Sequence, residues 1–363
     1  MDKTLREIVG QLLMIGFGGT TVTTELIDWI QEYRPGGVIL FSRNLVDPEQ
    51  IARLTNALQD AAPGPPLFIA IDQEGGRVSR LPKGFTIFPA AATVAACRST
   101  DVVYSTAEVT AKELRAVGIN MNMAPVLDVN TNAANPIIGN RAFGETPEDV
   151  CSFGVAAMAG LQDNGVIACG KHFPGHGDTI TDSHKVLPVV TATRERLYAI
   201  ELLPFRHAIG QGLRTIMTAH VRYPALDPQF PATLSRIILS DLLRTELRFQ
   251  GVTITDDLEM NAILDHGSVG EAAVQSLRAG ADILLVCHRQ DRQSEVIRAI
   301  EQALESGDLS MEQIRVSAER IQVLKQDFLE KYTPVDISQL PNIVGLPKHQ
   351  VLLEKIHQVA ARA

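Results

Sequence analysis

Eight short apolar runs alternate with helix-like patterns along the 363 residues, which predicts an α/β fold closed as one (β/α)8, TIM-like barrel. Three observations carry that prediction. The runs are continuously apolar, as parallel strands covered on both faces are, rather than alternating between apolar and polar positions. Nothing between them has the composition of a linker, and no internal repeat or low-complexity segment interrupts the series. Polar and charged residues follow the runs directly, which in a barrel places them on the face that carries chemistry. A doubly wound open sheet is the alternative arrangement of the same alternation.

The runs fall at 13–17, 37–41, 67–71, 119–124, 166–169, 215–218, 252–255 and 282–286. Helix starts between them are marked by capping chemistry. Asp47-Pro48-Glu49 and Thr146-Pro147-Glu148 each set a side-chain acceptor before a proline at the first helical position. Ser310-Met311-Glu312-Gln313 is a capping box opening a helix towards Lys331. Helical patterns also fit 23–33, 102–116, 194–211, 238–247, 269–279 and 291–306. The barrel is expected to occupy residues 1–334. Residues 335–363 read as a tail, with a helix near 349–361, packed on the barrel.

Composition narrows the function. Hydrophobic residues at 45% with 21% charged describe a water-soluble globular chain. A net charge of −9 argues against nucleic-acid binding. No apolar run approaches the roughly 20 residues that cross a bilayer, so no membrane partner is expected. The mixed-charge start Met1-Asp2-Lys3-Thr4-Leu5-Arg6-Glu7 lacks the features of a signal peptide. Cys97, Cys151, Cys169 and Cys287 are scattered without paired spacing, and Cys169 and Cys287, in apolar strand-like runs, read as buried free thiols. A cytoplasmic monomer is the expectation.

The densest chemistry lies at Lys171-His172-Phe173-Pro174-Gly175-His176-Gly177-Asp178-Thr179-Ile180-Thr181-Asp182-Ser183-His184, directly after the fifth run. Pro174, Gly175 and Gly177 break any helix, so this stretch reads as a loop. His172, His176, Asp182 and His184 are potential metal ligands, although Pro174 and Gly175 keep the first two off a shared helix face. A polar loop whose histidines cap backbone groups is a second reading. The third is acid–base catalysis: in an extended segment Asp182 and His184 fall on one side, and the carboxylate orients the imidazole.

Other strand ends carry candidates. Asp72-Gln73-Glu74-Gly75-Gly76-Arg77-Val78-Ser79-Arg80 follows the third run and, on its residues alone, reads as a salt-bridged loop. Asp128 and the long polar loop through Arg141 follow the fourth. His220, after the sixth, fits a site-lining or a structural role equally. Asp256 and Asp257 close the seventh run; adjacent residues point apart, so at most one of them is expected to face the pocket centre.

Lys-His-Phe-Pro-Gly-His-Gly, four residues, then Asp-Ser-His resembles the bacterial β-N-acetylglucosaminidases of glycoside hydrolase family 3. Asp72-Gln73-Glu74-Gly75-Gly76-Arg77-Val78 with Arg80, and the acid after Thr255, match further motifs, and the likeness runs from Gly36 to Met260. The resemblance implies Asp256 as nucleophile, His184 as general acid/base and Asp182 as its partner. It implies Asp72, Arg80, Arg141, Lys171 and His172 as sugar ligands, with Glu74 and Arg77 as loop architecture. It also implies release of terminal β-linked N-acetylglucosamine from cytoplasmic cell-wall fragments in peptidoglycan recycling, with no metal or organic cofactor. A phosphorylase or β-glucosidase of the same fold, and a non-catalytic sugar-binding sensor, are the alternatives.

Overall fold

A computed structural model of the protein describes residues 3–179, 181, 187–264 and 267–362. Eight parallel strands close a barrel in sequence order: β1 (Leu13–Ile15), β2 (Gly37–Leu40), β3 (Phe68–Ile71), β4 (Met121–Asn122), β5 (Ile167–Phe173), β6 (Thr215–Thr218), β7 (Val252–Asp257) and β8 (Ile283–Val286). Closure comes from β1 pairing with β8, Leu13 opposite Leu284 and Ile15 opposite Val286. Val38, Ile39, Leu40, Ile69, Ile254 and Leu284 are all buried, as expected of strands walled by helices outside and packed side chains within.

Every apolar run becomes a strand, but two extend further than their apolar residues. β5 continues through Lys171, His172 and Phe173, so Lys171 and His172 stand on a strand end and not in a loop. Its register with β6 shifts between Gly170 and Phe173, and an irregularity of this kind re-aims side chains at a barrel rim. β7 likewise continues through Asp256 and Asp257, with a shift against β8 between Ile254 and Asp257. β4 pairs over two residues only, and just beyond it Ala124 N turns back to Asn122 O at 2.8 Å.

The three capping devices form as the sequence predicts. Asp47 accepts from Gln50 N at 2.8 Å, Thr146 accepts from Asp149 N at 3.3 Å, and Ser310 and Gln313 exchange bonds. The single helix expected over 194–211 is two, Arg194–Ala199 and Leu203–Gly210. Pro204 sits in the first turn of the second, where its missing N–H costs nothing. The stretch Ile237–Glu246 is π-helical. The four cysteines are free thiols, and no described helix is long and apolar enough to cross a membrane.

Beyond the helix Met311–Leu329 the chain returns along the barrel's flank. Val335 and Asn56 exchange backbone–side-chain bonds of 2.8 and 3.0 Å. The final helix, Pro347–Ala360, begins two residues earlier than the periodicity suggests. Buried Glu113 anchors this return by accepting from Gly345 N at 2.9 Å and contacting His349 Nδ1 at 2.7 Å, while also holding Thr86.

Candidate active site

The carboxyl ends of the strands enclose a cavity of about 390 Å³, within the range that holds a sugar-sized ligand. Its wall includes Asp72, Glu74, Arg80, Arg141, Lys171, His172, His176 and Asp256. One half is an alternating charge network. Lys171, on β5 and almost fully buried, reaches Asp72 at 2.8 Å and Glu74 at 2.6 Å. Glu74 in turn takes both Nε and Nη2 of Arg141, each at 2.8 Å, and Asp72 faces Arg80 at 3.8 Å.

Burial alone would raise the Glu74 carboxyl, but Lys171 and Arg141 outweigh it and hold it well below the usual carboxylate range. Lys171 is pulled down by burial yet raised overall by Asp72 and Glu74. Glu74, Lys171 and Arg141 therefore all carry their charges at neutral pH. Glu74, expected as loop architecture, stands in the cavity wall between two basic residues. Arg77 does keep an architectural place: its guanidinium donates to the carbonyls of Pro136, Ile137 and Ile138 and ties down the loop that carries Arg141.

The loop 72–80 is shaped from below. Gln73 is buried; its amide oxygen accepts from Arg80 N at 2.9 Å, and its own N–H meets Asn122 Oδ1 at 2.9 Å. Gly75 adopts a φ of +98°, and a Cβ there would stand 2.6 Å from the Pro89 carbonyl oxygen. Only glycine turns the chain at this point.

A second group is organised by Asp128, which is completely buried. It accepts from the backbone N–H of His172 at 3.1 Å and of His176 at 2.6 Å, and its Oδ2 meets His172 Nδ1 at 2.7 Å. Burial opposes ionisation of Asp128, but His172 and the His176 amide lower it on balance. A charged Asp128 assigns the proton to His172 Nδ1 and leaves Nε2 as that ring's remaining hydrogen-bonding atom. The neighbouring loop is fitted to this group: a Cβ on Gly177 would lie 1.7 Å from Val129 O, and Tyr223 donates to Gly175 O at 2.6 Å.

Asp256, at the end of β7, is partly open to the cavity and enclosed elsewhere. Its Oδ1 accepts from Asp257 N at 2.8 Å. Burial pushes its carboxyl up, and the imidazoles of His220 and His172, the Asp257 N–H and Lys171 together bring it below the ordinary value. An ionised, partly desolvated carboxylate in a sugar-sized cavity can serve as a nucleophile, a base or a hydrogen-bond acceptor. His220 takes the structural of its two readings: it is buried, with Nδ1 at 2.7 Å from Thr233 Oγ1 and Nε2 at 3.0 Å from the Asp257 carbonyl. Asp182 and His184 lie outside the described residues. Among the described residues no cluster of three or more His, Cys, Asp or Glu is arranged to hold a metal.

The cavity also includes Phe41 and His288, which the sequence analysis passed over. His288 Nε2 stands 3.3 Å from Asp257 Oδ2, and that contact raises its proton affinity against partial burial. It lies two residues beyond β8. The strand-end rule applied to the eighth run, as it was to the others, would have found it.

The profile of the glycosyl hydrolase family 3 N-terminal domain matches residues 4–324. A β-hexosaminidase A of Pseudoalteromonas piscicida is 38% identical over 96% of this chain, which spans 65% of that protein's length. The solved family 3 β-N-acetylglucosaminidase of Paenibacillus sp. FPU-7 superposes with a TM-score of 0.94 at 45% identity, over 98% of this chain and 68% of its own. NagZ of Neisseria gonorrhoeae, solved with N-trifluoroacetyl-D-glucosamine, gives a TM-score of 0.80 at 32% identity, over 96% of this chain and 98% of its own. The chain belongs to glycosyl hydrolase family 3. The relatives it resembles within that family carry the names β-hexosaminidase and β-N-acetylglucosaminidase.

Proposed function

We propose that the chain is a retaining exo-β-N-acetylglucosaminidase acting on cytoplasmic cell-wall fragments of the N-acetylglucosaminyl-anhydromuramyl type. The observation that carries the reading is the ionised Asp256 in a cavity whose opposite wall is the Asp72–Lys171–Glu74–Arg141 network. Fixed charges of both signs are suited to sugar hydroxyls, which donate to carboxylates and accept from ammonium and guanidinium groups. Relatives named for hexosaminidase activity support the same substrate class.

In this reading Asp72, Arg80, Arg141, Lys171 and His172 hold the terminal sugar. Asp256 attacks the anomeric carbon while protonated His184, paired with Asp182, gives its proton to the departing oxygen. The C–O bond to the leaving group breaks as the bond to Asp256 forms. Neutral His184 then takes a proton from water, and the resulting hydroxide equivalent displaces Asp256 with overall retention. No step calls for a metal or organic cofactor.

The test is p-nitrophenol release from the β-N-acetylglucosaminide and the β-glucoside, each with and without phosphate, with the sugar product identified. Free N-acetylglucosamine from the first substrate alone supports the proposal. A sugar 1-phosphate appearing with phosphate would replace it with a phosphorylase, turnover of the glucoside with a glucosidase, and silence on both with a sugar-binding sensor.

A further inference from the structure

At the amino ends of the strands, the far side of the barrel from Asp256, a second cavity of about 550 Å³ opens between the first helix, Lys3–Gln11, and the helix Met311–Leu329. Its walls are chiefly apolar: Ile8, Pro65, Pro66, Ile321 and Leu329. Lys325 also lines it, although only 5% of that residue is exposed.

The lysine head is unusually placed. Nζ donates to Gln11 Oε1 at 2.9 Å and sits 5.1 Å from the centre of the Phe68 ring. It forms no ion pair among the described residues, unlike Lys171, which has two. The charged groups around the same cavity are otherwise engaged or peripheral. Glu7 is paired to Arg34 at 2.9 Å, and Glu330 is exposed at the end of Lys325's own helix. Tyr332, from the segment after that helix, lines the cavity too, but its hydroxyl is buried, with Asp60 and Arg115 as its charged neighbours.

A buried ammonium without a counter-ion is costly, and burial pushes the Lys325 amine down to about 7. An anionic head entering the cavity supplies what the fold withholds. The apolar walls favour a ligand whose remainder is hydrocarbon, and the volume suits a molecule of modest size.

We propose that this cavity binds a small amphiphilic carboxylate, its head on the Lys325 ammonium and its hydrocarbon body on Ile8, Pro65, Pro66, Ile321 and Leu329. Such a ligand binds the folded chain on the face opposite the sugar cavity. It stabilises the fold without competing with substrate.

Isothermal titration of the full chain with octanoate, and separately with octanol, at a pH of about 8 tests this. Octanoate binds with one site and draws a proton from the buffer, seen as a heat that changes with buffer ionisation enthalpy. Octanol binds at least about tenfold more weakly, because it offers no charge to the amine. Lys325→Met loses octanoate affinity by at least about tenfold and abolishes the proton uptake, and Lys325→Arg keeps the preference for octanoate over octanol. The comparison of the two probes on the unaltered chain needs no variant to fold. Equal affinity for octanoate and octanol, unchanged octanoate binding in Lys325→Met, or no octanoate binding at roughly 10 mM would each overturn the proposal.

Discussion

Arg141 grips Glu74 through two parallel bonds of 2.8 Å, and both side chains are buried to within a tenth of full exposure. Lys171 completes the arrangement from the other side at 2.6 Å. Glu74 therefore balances two cations that are largely withdrawn from water. Glu74→Ala leaves that charge uncompensated and is expected to cost about 3–5 kcal/mol of stability. Urea denaturation measures it, and a midpoint within error of the parent would show that Asp72 alone suffices.

His176 is buried beside His172, and burial followed by that neighbour lowers its proton affinity to about 4 from the ordinary 6.5. The folded-state value is depressed, so the unfolded chain takes up the proton first as pH falls. The contribution is fully present above about pH 6.5 and is lost as pH falls towards 4, by up to about 3 kcal/mol. Unfolding free energies of the parent and His176→Gln, compared across that window, check it. Parallel curves would mean that the His176 ring does not titrate differently in the two states.

The proposed role of His184 as proton donor predicts selective damage. His184→Ala slows substrates with poor leaving groups by about 10²–10⁴-fold, while a dinitrophenyl glycoside, whose oxygen needs no proton, is slowed far less. Steady-state rates over a series of phenols measure the gradient. An equal loss across the series would remove His184 from that role.

Much of this architecture was legible because barrel strands announce themselves through apolar runs and the catalytic face follows from chain direction. The run 252–255 led to the pair Asp256 and Asp257 at its end, and the family resemblance chose Asp256 between them. The helix starts at Asp47, Thr146 and Ser310 were read from capping residues alone, since the bonds there span only three residues. Contacts between distant residues were not legible in this way. Glu74 looked architectural because its partners, Lys171 and Arg141, are 97 and 67 positions away. The extension of β5 through Lys171 and His172 was hidden for a related reason: polar residues do not resemble a buried strand until Asp128 and Asp72 are placed to receive them. Lys325 read as an ordinary charged position on a long helix, and its burial depends on Gln11 and Phe68 from the opposite end of the chain.

The central claim is that Asp256 forms the covalent bond to the sugar. A fluorinated N-acetylglucosaminide with a dinitrophenolate leaving group forms the glycosyl-enzyme quickly and releases it slowly, so intact mass and peptide mapping can locate the attached sugar. The account predicts one sugar per chain, on the peptide containing Asp256, and none on Asp256→Ala. A sugar attached to another residue, or continued turnover by Asp256→Ala at the parent rate, would contradict it.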